Sequence, residues 1–176
     1  MTVASRAEVV LGIDPGTALL GYGIVEATDG PTVRDFGCLE TTPELAMPNR
    51  LLLLYDGLRE VIDRWRPDVM VVEELFFARN VTTALTVGQA RGIVLLAAAQ
   101  HHLPVAEYKP SQVKQAVSGY GKAGKSQMQE IVRLLLGLDE VPYPDDAADA
   151  LAVALCHIQS RQFFRAVASE GGQAQR

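Results

Sequence analysis

Lysine is scarce and confined in this chain of 176 residues: there are four, Lys109, Lys114, Lys122 and Lys125, all within one short stretch. Cysteine is scarcer. Cys38 and Cys156 stand alone at no metal-ligand spacing, which excludes a disulfide framework and a zinc cluster and leaves two small core residues in a reducing compartment. No apolar stretch approaches the ~18 residues needed to span a membrane. The apolar run in MTVASRAEVVLGID is too short for a secretory leader, and an acid interrupts it. These absences predict a cytoplasmic protein. Of the three histidines, His101 and His102 close a predicted helix and His157 lies along the last one, and none is assigned chemistry. What remains is ordinary globular composition, 48% hydrophobic and 21% charged, at a length that suits one domain over 1–167. The small, polar stretch ASEGGQAQR (168–176) is expected to be a disordered tail.

A net charge of −5 argues at first against a nucleic-acid partner, but its distribution does not. Residues 1–75 carry 13 acids against 6 basic residues, and residues 138–176 carry 6 acids against 3 arginines. Between them, residues 76–137 carry 7 basic residues against 2 acids. The acidic average hides one basic segment, the footprint expected of phosphate contact. Taken alone, a basic cluster is more often the solvated face of a helix.

Periodicity predicts the order β-β-β-α-β-α-β-α-α-α. EVVLGID (8–14) is an apolar run of the kind buried on both faces of a sheet; PGTALLG (15–21) reads as a turn and YGIVEAT (22–28) as a returning strand. TVRDFGCLETT (32–42) is a third strand, VMVVEE (69–74) a fourth and LPVAEY (103–108) a fifth. An amphipathic helix is predicted over 49–66, stopped by Pro67, and a second long helix over 82–100. A short helix, 110–119, runs from Pro to Gly. Ser126 and Gln129 form a capping box for 127–137, and Asp145 or Asp146 caps a last helix running to about residue 165. An antiparallel meander followed by helical crossovers makes a mixed sheet in a three-layer α/β/α fold.

Four carboxylates lie where a carboxylate is costly without a partner. Asp14 ends the apolar run at 9–13 and Glu73 ends another at 69–72; Asp146 and Asp149 open the alanine-rich final helix, and none has a basic residue within four positions. Each has a plain structural explanation: turn chemistry for Asp14-Pro-Gly and N-terminal capping for the helix pair. Glu73 has the weakest of these. A shared divalent metal would satisfy all four together, and hard oxygen donors without Cys or His suit Mg²⁺ or Mn²⁺.

Two other motifs compete. GYGKAGKS (119–126) matches the phosphate-binding pattern G-x-x-x-x-G-K-[ST], but QVKQAVS before it has helical spacing where that pattern needs a buried strand. GIDPGT (12–17) invites comparison with the hairpin of actin-like kinases, which need a chain about twice this size. A Gly-rich loop carrying Lys122 and Lys125 can still meet the phosphates of a nucleic acid.

LGIDPGTALLGYGIVE (11–26), VVEELFFARN (71–80), ALTVGQARG (84–92), EYKPSQVKQAVSGYGKAGKSQMQ (107–129) and DDAADALAVALCH (145–157), in that order, resemble the RuvC family of Holliday junction resolvases, with a ribonuclease-H-like fold. The resemblance implies a metal-dependent endonuclease that nicks two strands of like polarity at four-way DNA junctions in recombination and repair. It implies Asp14, Glu73, Asp146 and Asp149 as catalytic acids holding two Mg²⁺ ions about 4 Å apart, with Mn²⁺ as a substitute. Glu74 and Asp145, adjacent acids, stay open as replacements. Lys125 would offset charge at the phosphorus. Lys114 and Lys125 would face DNA, with Lys109, Lys122 and Arg79 as further basic contacts, and Phe76 would engage bases near the crossover. A homodimer and the RuvA and RuvB branch-migration proteins are the implied partners. The predicted helix at 82–100 supports the dimer independently, since Leu85, Val87, Ile93, Val94, Leu95 and Leu96 wrap more than one face. The alternatives are a ribonuclease H acting on RNA–DNA hybrid and a catalytically silent junction-binding module.

Overall fold

Apolar residues on strands 8–14 and 69–73 occupy successive positions without alternation, so both faces of those strands must be covered. A computed structural model describes residues 6–28, 30–74 and 81–171, with the helical backbone alone for 81–83 and 164–171. Its elements are β1 (Glu8–Asp14), β2 (Leu19–Ala27), β3 (Thr32–Glu40), α1 (Met47–Trp65), β4 (Val69–Glu73), α2 (Val81–Gln100), β5 (Val105–Tyr108), α3 (Pro110–Ser118), α4 (Lys125–Leu135) and α5 (Asp145–Gly171). This is the element order expected. The five strands form one sheet in the order β3-β2-β1-β4-β5, antiparallel across β1–β2 and β2–β3, parallel across β1–β4 and β4–β5.

Two cores sandwich the sheet. Leu11, Ile13, Leu20, Ile24, Met70 and Val72 pack on Leu54, Leu58, Val61 and Ile62 of α1 and on Val94, Ala97 and Ala98 of α2. The alternate positions Val10, Val25, Val69 and Val71 pack on α3, α4 and the buried face of α5, including Leu151, Leu155 and Ile158. Burying such side chains contributes roughly 1.5–3 kcal/mol each. The layers are therefore α1/α2, sheet, α3/α4/α5.

Several boundaries differ from the periodicity reading. β2 begins at Leu19, so Gly21 is inside a strand and not in a turn. α4 begins at Lys125 with Gly124 as N-cap and no side-chain cap, so the Ser126–Gln129 capping box does not form; the helix starts a residue before the serine that would cap it. A reaching-back contact occurs instead on α3, where the Lys109 N–H donates to Gln112 Oε1 at 2.8 Å. α3 ends at Gly119, whose φ of 75° is the left-handed geometry that glycine adopts without strain. α5 continues to Gly171, past the end expected near residue 165 and into the stretch expected to be a tail. The Gly-rich 119–126 motif follows a helix, not a strand, which removes the nucleotide-hydrolase reading. Cys156 is buried as expected, whereas Cys38 on β3 is only half-buried. No helix among the described residues is long and apolar enough to cross a membrane.

Candidate active site

Asp14 ends β1 and Glu73 ends β4. The strands run parallel with Ile13 opposite Val72, so both acids leave the same end of the sheet. Strand alternation sets the face. Ile13 and Val72 point into the α1/α2 core, and Asp14 and Glu73, one residue on, therefore project toward α5.

α5 brings Asp146 and Asp149 over that end from its first turns. It can approach because the strands beneath it are floored with glycine. A Cβ on Gly12 would stand 2.1 Å from the Ala150 carbonyl oxygen, one on Gly21 2.1 Å from the Asp146 carbonyl oxygen, and one on Gly23 2.7 Å from the Leu151 side chain. Gly21 pairs with Asp14 and Gly23 with Gly12 across the β1–β2 ladder. The backbone of α5 thus lies directly on the strand that carries Asp14. Sequence reasoning overlooked these glycines, although glycine inside a strand is the usual mark of close backbone approach.

A cavity of about 320 Å³ opens at this point, lined by Asp14, Glu73 and Asp149, by Lys114 and Lys125, and by an apolar wall that includes Val113 and Met128. Its electrostatics are those of an acid cluster short of positive charge. Burial, then the charges of Asp149, Asp146 and Glu73, push the Asp14 carboxyl up from 3.8 to about 7, against the pull of Lys125. Glu73 is raised by burial and by Asp149, with Lys114 opposing. Asp149 is raised by burial and drawn back by Lys125, and Asp146 is raised chiefly by burial. Lys125 Nζ bonds Asp145 and lies 3.4 Å from Asp149 Oδ2; the Asp145 bond leads the causes that hold its ammonium charged beyond the usual range.

The predicted residues thus fall into three groups. Asp14, Glu73, Asp149, Lys114 and Lys125 line one cavity; Asp146 is outside the lining but close enough for its charge to act on Asp14. Lys109, Lys122 and Glu74 are exposed and outside the cavity, the Glu74 N–H bonding the Tyr108 carbonyl at 2.7 Å; Asp145, half-buried and engaged by Lys125, is also outside it. Phe76, Phe77 and Arg79 lie outside the described residues. Among the described residues no three of His, Cys, Asp or Glu converge to ligating distance as they stand. The donor set still fits a hard divalent ion: carboxylate oxygens only, three of them on one cavity, with Asp14 raised by its acidic neighbours.

Sequence and fold comparisons place the chain among known proteins. A family model described as crossover junction endodeoxyribonuclease RuvC matches residues 10–157. The chain belongs to the RuvC family. That is a family of metal-dependent nucleases. The crossover junction endodeoxyribonuclease RuvC of Chloroflexus aggregans is 64% identical over 149 residues, 84% of this chain and 90% of the relative. That of Thermomicrobium roseum is 59% identical over 150 residues, 85% and 92% of the two chains. A solved structure of Thermus thermophilus RuvC in complex with Holliday junction substrate superposes with a TM-score of 0.84 at 40% identity, covering 89% of this chain and 96% of that one. The sheet order and flanking helices are those of the ribonuclease-H-like RuvC fold, as expected.

Proposed function

We propose that this protein is a Holliday junction resolvase, a crossover junction endodeoxyribonuclease that nicks two strands of like polarity symmetrically at four-way DNA junctions during recombination and repair. The observation that carries the proposal is the convergence of Asp14, Glu73 and Asp149 on one cavity whose rim bears Lys114 and Lys125. Carboxylates alone would repel a phosphodiester; a rim of lysines beside them lets the backbone approach. Asp14, Glu73, Asp146 and Asp149 are the residues assigned to hold two Mg²⁺ ions, for which Mn²⁺ substitutes. When bound, these ions supply activation of water and neutralisation of charge at the scissile phosphate. Asp14 sits on the central strand of the sheet and is the least free of the four to move. Lys125, already within reach of Asp149, is placed to balance charge developing on the phosphorus.

The remaining basic residues are assigned to backbone contact: Lys114 at the cavity rim, Lys109 and Lys122 further out, and with them Arg79. Phe76, directly beyond the Glu73 strand in sequence, is assigned to stack on a base freed at the crossover, a contact worth ~1–3 kcal/mol. A homodimer through α2 supplies one site to each of two strands. Its support is the exposure of Leu85 and Leu96, 63% and 51%, and the open space at Gly88 and Gly92. We further assign the protein to the cytoplasm, in company with RuvA and RuvB.

Four-way junction, linear duplex and RNA–DNA hybrid offered side by side with Mg²⁺ test the reading. Paired nicks in the junction are expected, with Phe76→Ala cutting poorly; preference for the hybrid would refute a resolvase. Sedimentation at micromolar concentration is expected to give twice the 19.0 kDa chain mass.

A further inference from the structure

Arg91 is one of two buried polar residues among those described, 9% exposed, and the sole charged residue of α2. Its guanidinium spans two strand ends. Nη1 donates to the backbone carbonyl of Glu73 at 2.9 Å, and Nη2 pairs with Glu107 Oε1 at 2.7 Å. The first contact answers a gap in the sheet. The Glu74 N–H donates to Tyr108 on β5, so the Glu73 carbonyl in the same peptide points the other way, toward β1. In the β1–β4 register, Ile13 faces Val72, and the donor next in line for that carbonyl is residue 15. Residue 15 is proline and has no N–H.

We infer that Arg91 is a positioning residue for the nuclease site: it supplies the ladder bond that Pro15 cannot make and so fixes the strand end from which Glu73 projects. The arrangement holds the Glu73 backbone from the α2 side of the sheet. Glu107 is opposite Val72 and lies on the α2 face, where it anchors the guanidinium; the Glu73 carboxylate leaves on the other face, into the cavity. A fork of fixed donor geometry is needed to bond carbonyl and carboxylate together, which a lysine ammonium does less well. The inference rests on the proposed nuclease reading of the Glu73 site.

The test compares Arg91→Met, Arg91→Lys and Glu73→Gln in full-length protein, well below the melting temperature of each variant. Misplacement of a reacting group costs rate and not affinity, so Arg91→Met should lower kcat by roughly ten- to a hundredfold with junction Kd unchanged. Arg91→Lys, which keeps a cationic donor group but on a single nitrogen, should recover part of that loss even if its melting temperature is no higher than that of Arg91→Met. Wild-type kcat in Arg91→Met, or equal kcat in the Met and Lys variants, overturns the positioning role while Glu73→Gln remains inactive. A normally active Glu73→Gln instead overturns the site assignment, and the role of Arg91 with it.

Discussion

Replacing Asp14 by Asn should abolish junction cleavage and, in the same protein freed of metal, raise its stability at neutral pH. The carboxyl moves from 3.8 in an unfolded chain to about 7 in the fold, chiefly because it is buried and then because Asp149, Asp146 and Glu73 surround it. One unit corresponds to 1.36 kcal/mol, so ionising this group against the fold costs about 4 kcal/mol. A half-buried amide with imperfect partners offsets about 1 kcal/mol of the gain. The net is about 3 kcal/mol, or roughly 6–12 °C in Tm for a chain of this length. The direction with pH follows from the sign of the shift. A carboxyl whose pKa rises on folding favours the fold most below about pH 4, loses that contribution as the pH climbs, and has lost it above about 7. The advantage of Asp14→Asn should therefore be large at pH 8 in chelator, small at pH 4, and reduced or reversed when Mg²⁺ is added to both proteins. Thermal melts across these conditions decide it. An Asn variant that melts no higher than wild type at pH 8 in chelator would show that the acids do not burden one another as argued.

Lys114→Ala and Lys125→Ala should each weaken junction binding and make its salt dependence shallower by about one ion, read from Kd measured across salt concentrations; an unchanged slope would put the side chain outside the interface. Gly21→Ala drives a methyl into the Asp146 carbonyl, at 2.1 Å, so it should cost at least about 1–3 kcal/mol in denaturant unfolding and most of the cleavage activity. His157 is buried against the Tyr108 hydroxyl at 3.0 Å, and burial depresses its pKa below 6.5. Its contribution is thus intact above about pH 6.5 and lost as the pH falls below it, and His157→Gln should lose less stability than wild type on that fall in urea titrations.

Strand and helix types were legible because the sheet is covered on both faces: unbroken runs such as VVLGI and VMVV admit no other placement. The three cavity acids were legible because Asp14 and Glu73 terminate those runs, and Asp149 stands near the start of an otherwise apolar helix. The distances between them were not, since they depend on how deeply α5 settles, and that depth is set by glycines that carry no side-chain pattern. PGTALLG looked like a turn for the same reason, its two glycines outweighing Leu19 and Leu20, which begin β2. Arg91 was missed because it acts on a backbone carbonyl, and the need for that bond arises only from the pairing of β4 with a strand that ends at Pro15. The Ser126–Gln129 box failed because the helix starts at Lys125 after Gly124, which puts Ser126 inside the first turn.

The contact of α5 with β1 and β2 at Gly12 and Gly21 is one of main chain on main chain. Elsewhere in the fold, a changed core residue can be absorbed by neighbours that shift rotamer, and the spacing between layers drifts slightly with each exchange. At these two points the nearest neighbour is a backbone carbonyl, and the one side-chain atom close by, Ala154 Cβ at 3.0 Å from the Gly12 position, has no rotamer to shift. The separation between the Asp14 strand and the helix bearing Asp146 and Asp149 is therefore a property of the backbone alone. Volume-conserving exchanges in the two hydrophobic cores should therefore leave the seat of the acids at one dimension.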